Sequence, residues 1–163
     1  MKRLFCVCLL LLVCLLLGGC ASNATPTMVL QAVMEAEKPL PAGRFYLLSA
    51  PQDDPHHPSE GLLAAAFGNG RFPPEMSEVE DAAFYLSVTA PCELAVFLCK
   101  STDGADAVAK MCLRRADLLM RDSTNGGKGV APESVAVTVR GKWVILCVSS
   151  DPAAACRAFR RAL

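Results

Sequence analysis

Leu4 to Leu17 is an unbroken run of fourteen apolar residues, and no other feature of the 163-residue chain restricts its fold as strongly. As a helix the run extends about 21 Å, short of the roughly 30 Å hydrocarbon layer of a bilayer, so a permanent membrane span is the weaker reading. Lys2 and Arg3 precede it and Gly18-Gly19 follow it, the order of charge, apolar core and small residues that marks an export signal. The run also inflates the positive mean hydropathy, so the folded part must be judged without it. Removing residues 1–19 leaves 144 residues. That length makes one domain able to bury roughly two-thirds of its unfolded surface, with no disulfide or metal required. With 16 basic and 16 acidic side chains and few aromatics, the chain lacks the basic surface of a nucleic-acid binder.

Leu17-Gly18-Gly19-Cys20 resembles the lipobox of bacterial lipoproteins, in which the cysteine is diacylated on sulfur and becomes the mature N-terminus. The resemblance implies residues 1–19 as signal peptide, lipidation at Cys20 and a short lipidated tether over 20–26. An ordinary cleaved signal and an uncleaved anchor are the alternatives. Two acyl chains give stable attachment, so the expected location is the extracytoplasmic face of the cell membrane.

Nine cysteines divide into Cys6, Cys8 and Cys14 in the signal, Cys20 at the lipid site, and Cys92, Cys99, Cys112, Cys147 and Cys156 in the body. An odd body count without a Cys-x-x-Cys pair argues against a disulfide framework and a thioredoxin-like centre. The last four lie in apolar patterns, where free cysteine acts as a small buried hydrophobe. One disulfide, or a redox or metal role, are the alternatives; Cys92 with Cys99 lacks the close spacing of zinc ligands. Free thiols outside the cytoplasm point to an anaerobic source.

Residues 27–163 read as a single α+β domain. Pro26 opens a short helix through Glu37 with Val29, Ala32, Val33 and Ala36 on one face. Residues 38–75 carry little periodicity beyond a strand at Phe45 to Leu48, a loop from Gln52 to Pro58, and a brief helix opened by Ser59 and stopped by Gly68-Asn69-Gly70. Phe84, Leu86 and Val88 alternate with polar residues as a strand, and Glu93 to Lys100 is apolar on both faces. Asp103 caps a helix to about Arg121, burying Val108, Cys112, Ala116 and Leu119. Ser134 to Arg140 and Trp143 to Ser149 make a hairpin with a Gly-first turn at Gly141-Lys142. Asp151-Pro152 opens a last helix that buries Cys156, Phe159 and Leu163. The order strand, strand, helix, strand, strand, helix predicts an antiparallel sheet of about four strands. Both helices are expected on one face, with N-terminal helical segments partly covering the other.

From Pro74 to Leu163 the order Val79-Glu80-Asp81, Glu93-Leu94-Ala95-Val96-Phe97, Gly141-Lys142-Trp143-Val144 and Asp151 with Phe159 resembles the small Firmicutes lipoproteins grouped as domain of unknown function 4358. The resemblance covers a little over half the chain and implies lipoprotein export in a Gram-positive anaerobe. It implies no activity, cofactor or catalytic residue.

Candidate chemistry is sparse. His56 and His57 are adjacent in Pro55-His56-His57-Pro58 and read as a solvated loop, Asp53 and Asp54 being their only nearby acids. Gly68-Asn69-Gly70 and Gly126-Gly127-Lys128-Gly129 fail the dinucleotide and phosphate-loop patterns and read as turns, and no Gly-x-Ser-x-Gly elbow is present. Glu75, Glu78, Glu80 and Asp81 read as a solvated face, and Glu93 as a turn or edge position rather than a binding residue. Residues 21–90 hold nine acids against three bases, and 91–163 seven against eleven. Arg114, Arg115 and Arg121 on one helix, with Arg157, Arg160 and Arg161 on another, would make one basic contact surface if both helices share a face. The alternative is that they solvate two amphipathic helices and complement their dipoles. The sequence thus predicts a membrane-anchored interaction or accessory module that is not an enzyme and takes no cofactor or metal. Its expected partners are the membrane and an envelope protein or anionic polymer, not nucleic acid. An envelope enzyme or thiol-redox protein is the alternative.

Overall fold

The computed structural model describes residues 24–121 and 130–163. Helix α1 (Pro26–Ala36) leads to strand β1 (Gly43–Leu47), helix α2 (Glu60–Phe67) and a 3-10 turn (Pro74–Glu78). Strands β2 (Val79–Ser87) and β3 (Glu93–Cys99), helix α3 (Thr102–Arg121), strands β4 (Val135–Arg140) and β5 (Trp143–Val148), and helix α4 (Pro152–Ala162) complete the domain. The five strands form one antiparallel sheet in the order β1-β2-β3-β5-β4. The α+β class and antiparallel sheet are as expected; the fifth strand is β1, pairing Gly43 with Ser87 through Leu47 with Ala83.

Local signals set the element ends. Thr25 Oγ1 accepts from Met28 N at the start of α1, Ser59 Oγ from Leu62 N at α2, and Asp151 Oδ1 from Ala154 N at α4. Helix α3 is capped two residues before the expected position: Ser101 Oγ accepts from Gly104 N at 2.9 Å, and Asp103 lies inside the first turn. Gly141, at φ +57°, turns the β4–β5 hairpin in the Gly-first geometry. Gly43 is required for a different reason. A Cβ there would lie 2.6 Å from the ring of Tyr85, which packs across β1 and donates its hydroxyl hydrogen bond to Pro41 O.

Strands β3 and β5 are the centre of the sheet and are apolar on both sides, so two cores form. Ala95, Phe97, Val144, Leu146 and Val148 face α2, the 3-10 turn and α3. Leu94, Val96, Ile145 and Cys147 face α1 and α4. Phe67 of α2 stacks with Phe84 and Phe97, the three ring centroids 5.3–5.5 Å apart, each pair contributing about 0.5–1.5 kcal/mol beyond area burial.

The two longest C-terminal helices therefore lie on opposite faces, not on one. The amphipathic stripe of α4 says that it must cover a sheet, but both faces of β3 and β5 are apolar and either satisfies it. The N-terminal helices divide in the same way, α1 beside α4 and α2 beside α3. Among the described residues, no helix is long and apolar enough to cross a membrane.

Candidate functional site

The α1–α4 side of the sheet carries the most unusual side chain in the domain. Helix α1 buries Pro26, Val29, Leu30 and Val33, and the next residue on that stripe is Glu37, at the helix C-cap. The helical repeat thus carries a carboxylate inward, and Glu37 is only 6% exposed. Its Oε1 is buried with no hydrogen-bond partner among the described residues. Such an unsatisfied polar group costs about 1–3 kcal/mol, more when charged. The nearby base, Lys38, turns outward to Glu35 at 2.6 Å.

Glu37 closes one side of a cleft of about 640 Å³ at the end of the sheet. The Glu93–Val148–Val135 pairing places Cys92, Ser149 and Ser134 one step further along three adjacent strands. Ser149 N donates to Ser134 O at 3.0 Å, closing that row. Behind it, Cys147 Sγ lies 3.2 Å from Ser149 Oγ. Pro39, Leu40 and Pro41 form an apolar wall, and Pro91 from the β2–β3 turn another. Burial pushes the Cys92 thiol up to about 11, helped by the negative charges of Glu37 and Glu93. Burial likewise raises Cys147 to about 12, with Glu37 adding to the shift and the Ser149 hydrogen bond opposing it. Both stay protonated at neutral pH, as does fully buried Cys112, whose thiol is pushed higher still. All five body cysteines are buried and free, the last four of them in the apolar patterns where burial was expected.

A second buried acid sits on the opposite face. Glu93 is neither at an edge nor in a turn; it starts the central strand and points toward α3. Arg115 reaches it with two hydrogen bonds, Nε to Oε2 at 3.0 Å and a guanidinium nitrogen to Oε1. Its side chain is 11% exposed and that of Arg115 19%.

A second cleft, of about 470 Å³, lies between Phe72, Pro73 and Pro74 on one side and Leu118 and Arg121 of α3 on the other. Glu75 is not a solvated acid, because its side chain is 18% exposed and pairs with Arg114 at 2.6 Å. Glu80 is exposed, while Asp81 accepts from Ala82 N and Glu78 packs against Gly104.

The six arginines expected to form one basic surface are not brought together. Arg114 and Arg115 are engaged by Glu75 and Glu93, and Arg121 borders the second cleft at the end of α3. Arg157, Arg160 and Arg161 project from α4 on the other side of the sheet, Arg157 3.9 Å from Asp151 and the Arg160 carbonyl accepting from Arg140. The surface fails for the same reason that the helices divide. Cys20 and Gly126-Gly127-Lys128-Gly129 lie outside the described residues. His56 and His57 occupy the expected loop, bonded to Asp54 at 2.9 Å and Ala50 O at 2.8 Å, and the His56 hydrogen bonds hold the Asp54 carboxyl below its ordinary range. Among the described residues, no group of three or more His, Cys, Asp or Glu is placed to hold a metal.

No family model, curated protein or solved structure matches the chain.

Proposed function

We propose that the chain is a lipoprotein of the bacterial cell envelope, anchored through diacylated Cys20 at the extracytoplasmic face, and that its domain serves as a binding module. The observation that carries the anchor is Leu17-Gly18-Gly19-Cys20 directly at the end of the fourteen-residue apolar run. The resemblance to the Firmicutes lipoproteins agrees with it. Thr25, which caps α1, lies five residues past Cys20, a reach of at most about 18 Å. A lipid at Cys20 would therefore hold the domain against the bilayer. There the exposed α4 arginines can meet anionic headgroups or wall polymer through a salt-sensitive contact.

Binding rather than thiol or acid–base chemistry is supported by the chemical state of the groups around the cleft. The thiols bordering the Glu37 cleft are held protonated, and the histidines are bonded elsewhere, His56 to Asp54 and His57 to Ala50 O. The cleft instead offers a carboxylate, hydroxyls and apolar walls, the composition of a recognition site.

Intact mass of the membrane-extracted protein tests the anchor. Loss of residues 1–19 with a diacylglyceryl group on Cys20 is expected, and Cys20→Ala should release the domain or retain the signal. Correct processing at another residue without lipid would contradict the proposal.

A further inference from the structure

The Glu37 cleft has a single carboxylate and no basic side chain in its lining among the described residues. Glu37 caps the C-terminal end of α1, where the last carbonyls of the helix add negative potential, and no basic residue occupies that last turn. Helix and carboxylate thus favour the same sign of charge. Elsewhere in the domain Glu93 is matched by Arg115 and Glu75 by Arg114, whereas Glu37 Oε1 is buried without a hydrogen bond and neither Glu37 oxygen holds a cation among the described residues, while the residue lines a cleft of ligand size. Glu75 Oε2 is also unpartnered, but its other oxygen already holds an arginine.

One carboxylate is too few for a divalent metal, which takes several oxygen or sulfur ligands. A primary ammonium fits better. It has three N–H donors, and Glu37 with the hydroxyls of Ser149 and Ser134 supplies acceptors for them. Proline and leucine surfaces on both sides of the cleft suit a short aliphatic body behind that headgroup.

We propose that this cleft binds a small organic cation, a primary ammonium on a short apolar body, with Glu37 as its counter-ion. The assignment rests on the domain being a binding module, and it names the class of ligand.

Calorimetric titration of the membrane-extracted chain with n-butylammonium tests it, with n-butanol as the neutral isostere and tetramethylammonium as the salt control. Saturable binding of n-butylammonium is expected. Binding of n-butanol and of tetramethylammonium should be at least tenfold weaker, the first lacking charge and the second lacking N–H donors. Glu37→Gln should weaken n-butylammonium at least tenfold, with the near-ultraviolet signal of Trp143 reporting an intact fold. Should that variant fail to fold, Ser149→Ala is expected to weaken binding severalfold by removing one acceptor. No saturable binding of n-butylammonium, equal binding of n-butanol, or unchanged affinity in a folded Glu37→Gln (in Ser149→Ala, should Glu37→Gln not fold) overturns the proposal. A lipidated chain that ignores n-butylammonium removes the ligand class and leaves the anchor standing, whereas an unlipidated chain that binds it does the reverse.

Discussion

Glu93 and Glu37 are buried to nearly the same degree on opposite faces of one sheet, yet among the described residues only Glu93 has a cation. Glu93 stands at the head of the central strand, and Arg115 of α3 clamps both of its oxygens. Glu37 stands at the end of α1 beside a cleft, with one oxygen unsatisfied and its neighbour Lys38 turned to solvent. The difference separates two uses of a buried charge. A carboxylate satisfied within the fold fixes how α3 sits on the sheet, whereas one left unsatisfied beside open space holds binding capacity in reserve for a ligand.

Arg115→Ala should have the largest effect on this comparison, because it leaves Glu93 buried without a partner. A loss of about 3–5 kcal/mol in unfolding free energy is expected from denaturant titration. Replacing both partners together, as Glu93→Met with Arg115→Met, should recover most of that loss, since the pair's attraction is largely offset by its desolvation. A single variant costing under about 1 kcal/mol would mean that Glu93 finds water or another donor.

Arg114→Ala comes next. Arg114 is over half exposed, so the Glu75 pair it breaks is partly screened, and a loss of about 1 kcal/mol is expected. Added salt should shrink that loss, and should leave the Arg115→Ala loss nearly intact.

Glu37→Gln should go the other way. Replacing a carboxylate that has no internal partner with a neutral amide of equal size is expected to leave stability unchanged or raise it by about 1 kcal/mol. A substantial loss would show that Glu37 holds a structural contact and is not spare.

The smallest effect concerns the thiols around Glu37. Cys92 and Cys147 are raised chiefly by burial, from an ordinary value of 9.0 to about 11 and about 12, so the folded state keeps protons that the unfolded state releases. Their contribution to stability is therefore complete below pH 9 and is lost as pH rises toward 12. Glu37→Gln removes one of the negative charges behind both shifts, so the pH at which each becomes alkylated should move slightly downward. Cys99, raised to about 11 by burial and by Glu78, should not move. In denaturant without reductant, all five body thiols should react.

Much of this architecture is legible in residue order. The two-sided apolar character of Glu93 to Lys100 marks the central strand, Ser59 and Asp151 mark helix starts, and Gly141-Lys142 marks a hairpin. Strand β1 is legible only in part, because its five residues are half-exposed and its pairing with β2 spans some forty positions. Which face each helix takes is not legible, since β3 and β5 are apolar on both. The cleft is harder still, because Glu37, Cys92, Ser134 and Ser149 come from four elements and share no motif. One signal was available. Glu37 falls four residues after Val33 and seven after Leu30, on the stripe that α1 buries, whereas the face read from Val29, Ala32, Val33 and Ala36 is rotated away from it. Ala36 is in fact exposed.

Thermal unfolding with and without n-butylammonium tests the contrast between the two glutamates most directly, in the wild-type chain, Glu37→Gln, and the Glu93→Met, Arg115→Met double variant. A saturable rise in midpoint is predicted for the wild type and for the double variant, whose cleft is untouched, and none for Glu37→Gln. A rise of equal size in Glu37→Gln, or its loss only in the double variant, would contradict the division of roles between Glu37 and Glu93.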